Sequence, residues 1–176
     1  MKSNVVLVDT EDNVLGECNK LEAHINGKLH RAFSIFIFNS EKKLLIQKRA
    51  NHKYHSGGLW SNSCCSHPNI NETTLSAAHK RLQDELGFDC ELTERGSFIY
   101  KVHLDNDLYE NEYDHIIIGK YNGEIKCNPD EVQEFKWIDM TDIQNEIKNH
   151  PEKFTFWFKK ILEINSNILS FNTKNL

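Results

Sequence analysis

The sequence predicts a mixed α and β fold, an α/β (α+β) arrangement in which a largely antiparallel or mixed sheet is covered by helices. Three observations predict it. Six short segments rich in β-branched and aromatic residues follow one another, bounded by turn formers. Helical patterning is confined to residues 71–87 and to the stretches after Thr141 and Pro151. The length of 176 residues suits one domain. Strands that succeed one another without a helix between them argue against a doubly wound parallel sheet.

The predicted strands are 5–8, 31–38, 44–49, 98–102, 112–121 and 134–138. Between the third and the fourth, Asn71 offers an N-cap to a helix in which Leu75, Ala78, Leu82 and Leu86 recur at helical spacing, and Gly87 supplies the stop. A short helix follows from near Thr141. A longer one follows Pro151, with Phe154, Trp157, Phe158, Ile161 and Leu162 as its apolar stripe. No Pro/Gly/Ser-rich linker or repeat divides the chain, so 1–176 reads as a single unit with a core at about 28–165. The N-terminal strand and C-terminal helix extend that core, and 172–176 read as a loose polar tail.

Composition excludes several functions. With 21 Lys and Arg against 26 Asp and Glu, the net charge of -5 lacks the basic excess that a nucleic-acid backbone attracts. Apolar runs such as 35–38 fall far short of the ~20 residues a membrane-spanning helix needs. Residues 5–8 are too short for a secretory signal core, so a cytoplasmic protein is expected. The five cysteines contain no CxxC pair, which points to reduced thiols rather than a disulfide framework or a thiolate zinc site. Adjacent residues of a strand face opposite ways, so only one of Cys64 and Cys65 can serve a given pocket.

Carboxylates carry the chemistry that spacing suggests. On the helix, Arg81 and Glu85 share the flank of the apolar stripe, where a carboxylate can bind Mg²⁺ and a guanidinium can hold phosphate oxygens; taken alone, the pair reads first as an exposed i,i+4 ion pair. Asp84 projects away from the core. Glu110 and Glu112 share one face at a strand's entrance, where like charges need a cation between them or one retained proton; two solvated acids is the equal alternative. His24, His30 and His67 are too far apart for a local zinc pattern and gain meaning only by converging on those two glutamates. The other six histidines, His52, His55, His79, His103, His115 and His150, read as structural. Lys48, Arg49 and Lys53 either meet a diphosphate or solvate a strand end. The run 57–68 gathers small, polar and thiol residues just before the helix.

These segments, 29–34 (LHRAFS), 60–68 (WSNSCCSHP), 85–87 (ELG) and 109–112 (YENE), resemble in order the type 1 isopentenyl-diphosphate isomerases, a branch of the Nudix fold. The resemblance covers nearly the whole chain. It implies a Nudix-like α/β/α sandwich that interconverts isopentenyl and dimethylallyl diphosphate without flavin, redox chemistry or phosphate hydrolysis. It also implies a His₃Glu₂ site for Mn²⁺, Zn²⁺ or Mg²⁺ at His24, His30, His67, Glu110 and Glu112. Glu85 and the main-chain carbonyl of Cys65 would hold a second ion, Mg²⁺, against a small-molecule diphosphate. Lys20, Arg49, Lys53 and Arg81 would surround the diphosphate oxygens. Cys65, Glu112 and Tyr100 match the family's proton-handling residues, and Trp157 matches its indole beside the hydrocarbon. Two departures from the wider Nudix pattern stand out. Residues 80–83 (KRLQ) lack the expected Arg-Glu pair, which weakens a hydrolase reading, and Ser56-Gly57 replaces a common Pro-Gly. A Nudix-type diphosphate hydrolase and a noncatalytic metal or ligand-binding domain are the rival readings.

Overall fold

The computed structural model describes residues 4–53, 55–104 and 107–164, so the tail expected at 172–176 lies outside the described residues. In chain order the elements are β1 (Asn4–Val8), β2 (Val14–Asn19), α1 (Lys20–Asn26), β3 (His30–Phe38), β4 (Leu44–Arg49), β5 (Trp60–Ser61) and β6 (Cys64–Ser66). There follow α2 (Thr74–Leu86), β7 (Leu92–His103), β8 (Tyr109–Lys120), β9 (Val132–Ile138), α3 (Met140–Asn149) and α4 (Phe156–Ile164).

β3 is the hub of the sheet. It runs parallel to β8 and antiparallel to β1, β4 and β6, while β7 pairs with β8 and β9 with β4, both antiparallel. The sheet is therefore mixed, as the run of strands without crossover helices predicted. Because β3 is covered on both faces, its sequence is almost continuously apolar instead of alternating. Phe36 and Phe38 point to one side, against Phe158, Ile161 and Leu162 of α4 and Ile143 of α3. Phe33, Ile35 and Ile37 point to the other, against Ala77, Ala78, Leu82 and Leu86 of α2. Each such buried side chain stabilises the fold by roughly 1.5–3 kcal/mol relative to exposure. Helices on both faces of the sheet make the α/β/α layering.

The elements differ from expectation where local chemistry decides. Asn71 adopts φ 67° and cannot cap α2; Thr73 does so instead, its hydroxyl accepting the Ser76 N–H at 3.1 Å. β7 and β8 are longer than expected, twelve residues each. After Pro151 the chain makes a short 3-10 turn, and Phe154 then forms an isolated bridge with Trp60. Phe154 therefore packs from an extended segment, and α4 begins only at Phe156. Four elements escaped the pattern, β2, α1 and the short strands β5 and β6. The apolar residues Leu21 and Ile25 of α1 are 51% and 53% exposed, while Ala23 and His24 are buried, so its apolar pair faces outward. Asn19 caps it, accepting from the N–H groups of Leu21 and Glu22, and Gly27 ends it in the left-handed region at φ 59°.

Candidate active site

The register of three strands builds the centre of the site. His30 on β3 lies opposite Glu112 on β8, and Glu112 lies opposite Tyr100 on β7, so one row across the sheet carries an imidazole, a carboxylate and a phenol. Period two along β8 puts Glu110 and Glu112 on the same face. α1 folds over the entrance of this row and delivers His24, and the turn after β6 delivers His67.

The imidazoles of His24 and His30 have ring centroids 5.1 Å apart, as do those of His30 and His67. One ligand atom from each of His24, His30, His67 and Glu110 lies within 4.8 Å of the others, a spacing that a single metal ion could share. Glu112 adjoins this group. Its Oε1 meets His67 Nε2 at 2.8 Å and His30 Nε2 at 3.7 Å, and its Oε2 accepts the Tyr100 hydroxyl at 2.5 Å. His30 Nδ1 faces the Lys28 carbonyl at 2.8 Å, which fixes the proton there and turns the lone pair of Nε2 toward the cluster. That Nε2 and Glu110 Oε2 are buried and make no hydrogen bond among the described residues. A divalent cation fits this donor set.

Burial decides the charges. It pushes the imidazoles of His24, His55 and His67 down to about 3, so they are neutral and their lone pairs are available. Burial, and then the charge of Glu112, raise Glu110 well above the usual carboxylate range. For Glu112 burial pulls upward, but the adjoining imidazoles of His30 and His67, the latter hydrogen-bonded to it, outweigh burial and hold the carboxylate well below that range. Burial and the Glu112 charge likewise keep the Tyr100 phenol protonated.

A cavity of about 380 Å³ opens from this cluster. Lys20, Arg49, Lys53 and Arg81 line it, as do Glu85, Cys65, Tyr100 and Trp157, whereas Lys48, the other cation considered for the diphosphate, does not. Glu85 is 4% exposed and doubly held, by Arg81 at 2.5 Å and by the Gln47 amide at 3.0 Å. The exposed-pair alternative for Arg81 and Glu85 is thereby set aside. Asp84 remains at the surface, as expected. Glu131, absent from the sequence reading, lines the cavity and pairs with both Lys53 and Arg81.

The polar run before α2 shapes the thiol wall. Ser63 Oγ donates to the Leu45 carbonyl and accepts from Ile37 N–H, tying the gap between β3 and β4. The Asn62 amide donates to the carbonyls of Ile35 and Cys64. Cys64 is thus turned into the α2 core and Cys65 into the cavity, the alternation expected of neighbours on a strand. Burial pushes the Cys65 thiol up to about 12. Trp157 donates its indole N–H to Ser61 Oγ at 2.9 Å and lies under the Arg49 guanidinium, 5.3 Å from ring centroid to carbon.

One residue read as structural belongs here. His55, from the loop between β4 and β5, brings Nε2 to 3.3 Å from Glu110 Oε1 and sets its ring edgewise to Trp157 at 5.9 Å. Nothing local in the sequence marks it. The loop folds back because Gly57 passes so close to Asn51 that a Cβ would sit 2.5 Å from its carbonyl oxygen.

The NUDIX domain model matches residues 28–158. A protein of Photorhabdus laumondii described as isopentenyl-diphosphate Delta-isomerase 2 is 50% identical over 162 residues, 92% of each chain. Its namesake from Aromatoleum aromaticum is 46% identical over 163 residues, 93% of this chain and 86% of its own. Among solved structures, DR0079 from Deinococcus radiodurans superposes with a TM-score of 0.68 at 16% identity, covering 84% of this chain and 90% of that one. A MutT protein from Methanosarcina mazei gives 0.64 at 14% identity, over 77% and 91%. These two share the fold alone; the fold, the domain match and relatives near half identical along most of the chain make this protein a member of the NUDIX family, in the branch of the isopentenyl-diphosphate Delta-isomerases.

Proposed function

We propose that the protein interconverts isopentenyl diphosphate and dimethylallyl diphosphate, with Cys65 and the Glu112–Tyr100 pair handling the protons. The observation that carries the reading is that Cys65 and the hydrogen-bonded Tyr100–Glu112 pair line one cavity from different strands, together with four cationic side chains. Isomerisation needs that arrangement. A proton goes to the terminal alkene carbon, whose π electrons form the new C–H bond and leave a tertiary cation. A base then takes a proton from the carbon nearer the oxygen, and that C–H pair becomes the new double bond. No electron is gained or lost, which is why no flavin is required.

The chain's own groups divide this work. Lys20, Arg49, Lys53 and Arg81 bind the diphosphate. In support, the buried Nε atoms of Arg49 and Arg81 make no hydrogen bond among the described residues, although each is a strong donor. Glu112, relayed through Tyr100, moves a proton at one face of the alkene, and Cys65 at the other. Trp157 lies against the hydrocarbon, excludes water and stabilises the cation through its ring, by about 2 kcal/mol or more when desolvated. His24, His30, His67, Glu110 and Glu112 are the proposed ligands of Mn²⁺ or Zn²⁺, and Glu85 with the Cys65 carbonyl those of Mg²⁺. A bound divalent ion supplies Lewis acidity, which sharpens a neighbouring carboxyl and neutralises phosphate charge. A charged, water-soluble substrate suits work in the cytoplasm.

The test is NMR of isopentenyl diphosphate with protein and Mg²⁺ in D₂O. The expected result is dimethylallyl diphosphate with deuterium uptake. Release of phosphate would establish a hydrolase, and an unchanged spectrum a binding domain.

A further inference from the structure

β4 carries a polar side chain at a position where an apolar one would pack. By period two Leu45, Gln47 and Arg49 share the face toward α2; Leu45 packs in the core there and Arg49 lines the cavity, so Gln47 stands between core and site. It is 2% exposed. Its Nε2 donates to Glu85 Oε2 at 3.0 Å, while its Oε1 is buried and makes no hydrogen bond among the described residues. A buried amide with its acceptor unmet is a destabilising filling for that space, since a leucine or methionine would occupy it without the penalty. Packing alone therefore does not account for it.

The hydrogen bond bears on an ion pair. Arg81 reaches Glu85 by a single prong, Nη2 to Oε1 at 2.5 Å, and the same Nη2 lies 3.4 Å from Glu131 Oε2. Its Nε is buried and makes no hydrogen bond among the described residues. A guanidinium and a carboxylate one helical turn apart can instead pair by two parallel bonds, Nε and Nη2 to the two oxygens, which is the stronger and more rigid arrangement. Here the second oxygen is held by the Gln47 amide, and the fork is not made. A carboxylate has about four lone-pair sites. With one given to Arg81 and one to Gln47, the others stay open on the cavity side, where Glu85 and Arg81 both line the wall. Without Gln47 the two side chains could close on each other, and a cation and a diphosphate would have to break that fork before binding.

We propose that Gln47 is a positioning residue for the Arg81–Glu85 pair: by holding Glu85 Oε2 on β4 it keeps the pair single-pronged, so that Glu85 offers a lone pair to a divalent cation and Arg81 keeps its Nε for a diphosphate oxygen. This rests on the reading of the site as a cation and diphosphate pocket given above. Gln47 acts only through these two side chains, and no proton moves.

The experiment titrates inorganic diphosphate, with Mg²⁺ present, into wild type, Q47M, R81K and the Q47M/R81K double variant by calorimetry, and measures kcat and KM for isopentenyl diphosphate alongside. Q47M keeps the volume and loses the donor. Its affinity for diphosphate with Mg²⁺ should fall about tenfold and its KM rise to match, with kcat within about twofold of wild type. An ammonium cannot form the fork, so adding Q47M to R81K should cost less than about threefold. A crystal structure of Q47M should show Arg81 Nε and Nη2 on the two Glu85 oxygens. Wild-type affinity in Q47M, a defect confined to kcat, the same tenfold loss in the R81K background, or Arg81 Nε still unpaired in the Q47M crystal would each overturn the proposal. Should Q47M fail to fold, Q47N, whose amide stops one methylene short, replaces it in every comparison. A wild type that binds diphosphate with Mg²⁺ while Q47M matches it sinks only this inference; a wild type that binds none sinks the reading of the site and this inference with it. A wild type that binds without isomerising overturns the isomerase reading and leaves the calorimetry and the crystal to decide this one.

Discussion

Cys65 is half-buried in the site and uncharged in its resting form, which makes its reactivity a direct probe of its surroundings. With the thiol pushed up to about 12, its thiolate is scarce at neutral pH. Alkylation of Cys65, followed by peptide mass, should accelerate about tenfold per pH unit from 7 to 10, without the plateau near 8.5 of a free thiol. A plateau there would show a solvated cysteine. Substrate should protect it. Cys65→Ser should lower kcat by about a hundredfold or more while KM moves little, and Cys64→Ser, on the other face of the same strand, should stay within a fewfold of wild type. Equal defects would break the division of the two thiols between core and cavity. That division was legible in the sequence, because alternation in a strand is a property of adjacent residues. The convergence of Glu110 with Glu112 was legible for the same reason. His55 was not, since a local loop fold-back brings it to Glu110, a partner on a distant strand that no spacing around His55 reveals.

Of the elements, α2 was the most readable, because its apolar residues repeat with the helical period and its stop is a glycine. That glycine also offers a test. Gly87 sits at φ 72°, and a Cβ there would lie 2.5 Å from the Lys126 carbonyl oxygen. Gly87→Ala should therefore destabilise the protein by about 2 kcal/mol or more, read as a lower urea midpoint with an unchanged slope. Because Arg81 and Glu85 lie on the last turns of α2, the same variant should raise KM for the diphosphate; an unaltered midpoint would mean that the turn relaxes without cost. α1 was unreadable for the opposite reason. Its outward Leu21 and Ile25 obscure a helix that is held by its caps and by what it contributes to the site, Lys20 and His24. Periodicity detects elements that bury an apolar stripe, and α1 buries an imidazole.

Over the whole molecule, the neutral histidines couple stability to acidity. His24, His55 and His67 are held to about 3, whereas the unfolded chain protonates them near 6.5. Between those values the unfolded state binds more protons, so the metal-free protein loses stability as pH falls below about 6.5, at about 1.4 kcal/mol per group per pH unit. Glu110 and Asp114, whose carboxyls burial raises, work in the opposite sense and offset part of this loss. Urea midpoints after chelation should fall from pH 7 to pH 5, and Mn²⁺ should restore them at pH 7. A midpoint indifferent to pH over that range would mean the imidazoles are solvated. The mixed, helix-covered architecture could be read because it follows from strand succession, whereas the meeting of α1 and α4 over one cavity was implied by resemblance alone, since no spacing in the chain dictates it. That meeting has a consequence during synthesis. The proposed metal ligands have all been made once Glu112 is made, but the indole wall comes from Trp157, about 45 residues later, or roughly 2–9 s at ordinary translation speeds. A nascent chain can thus gather its ion before it can enclose a carbocation, and it gains a shelter for reactive chemistry only once α4 has been made.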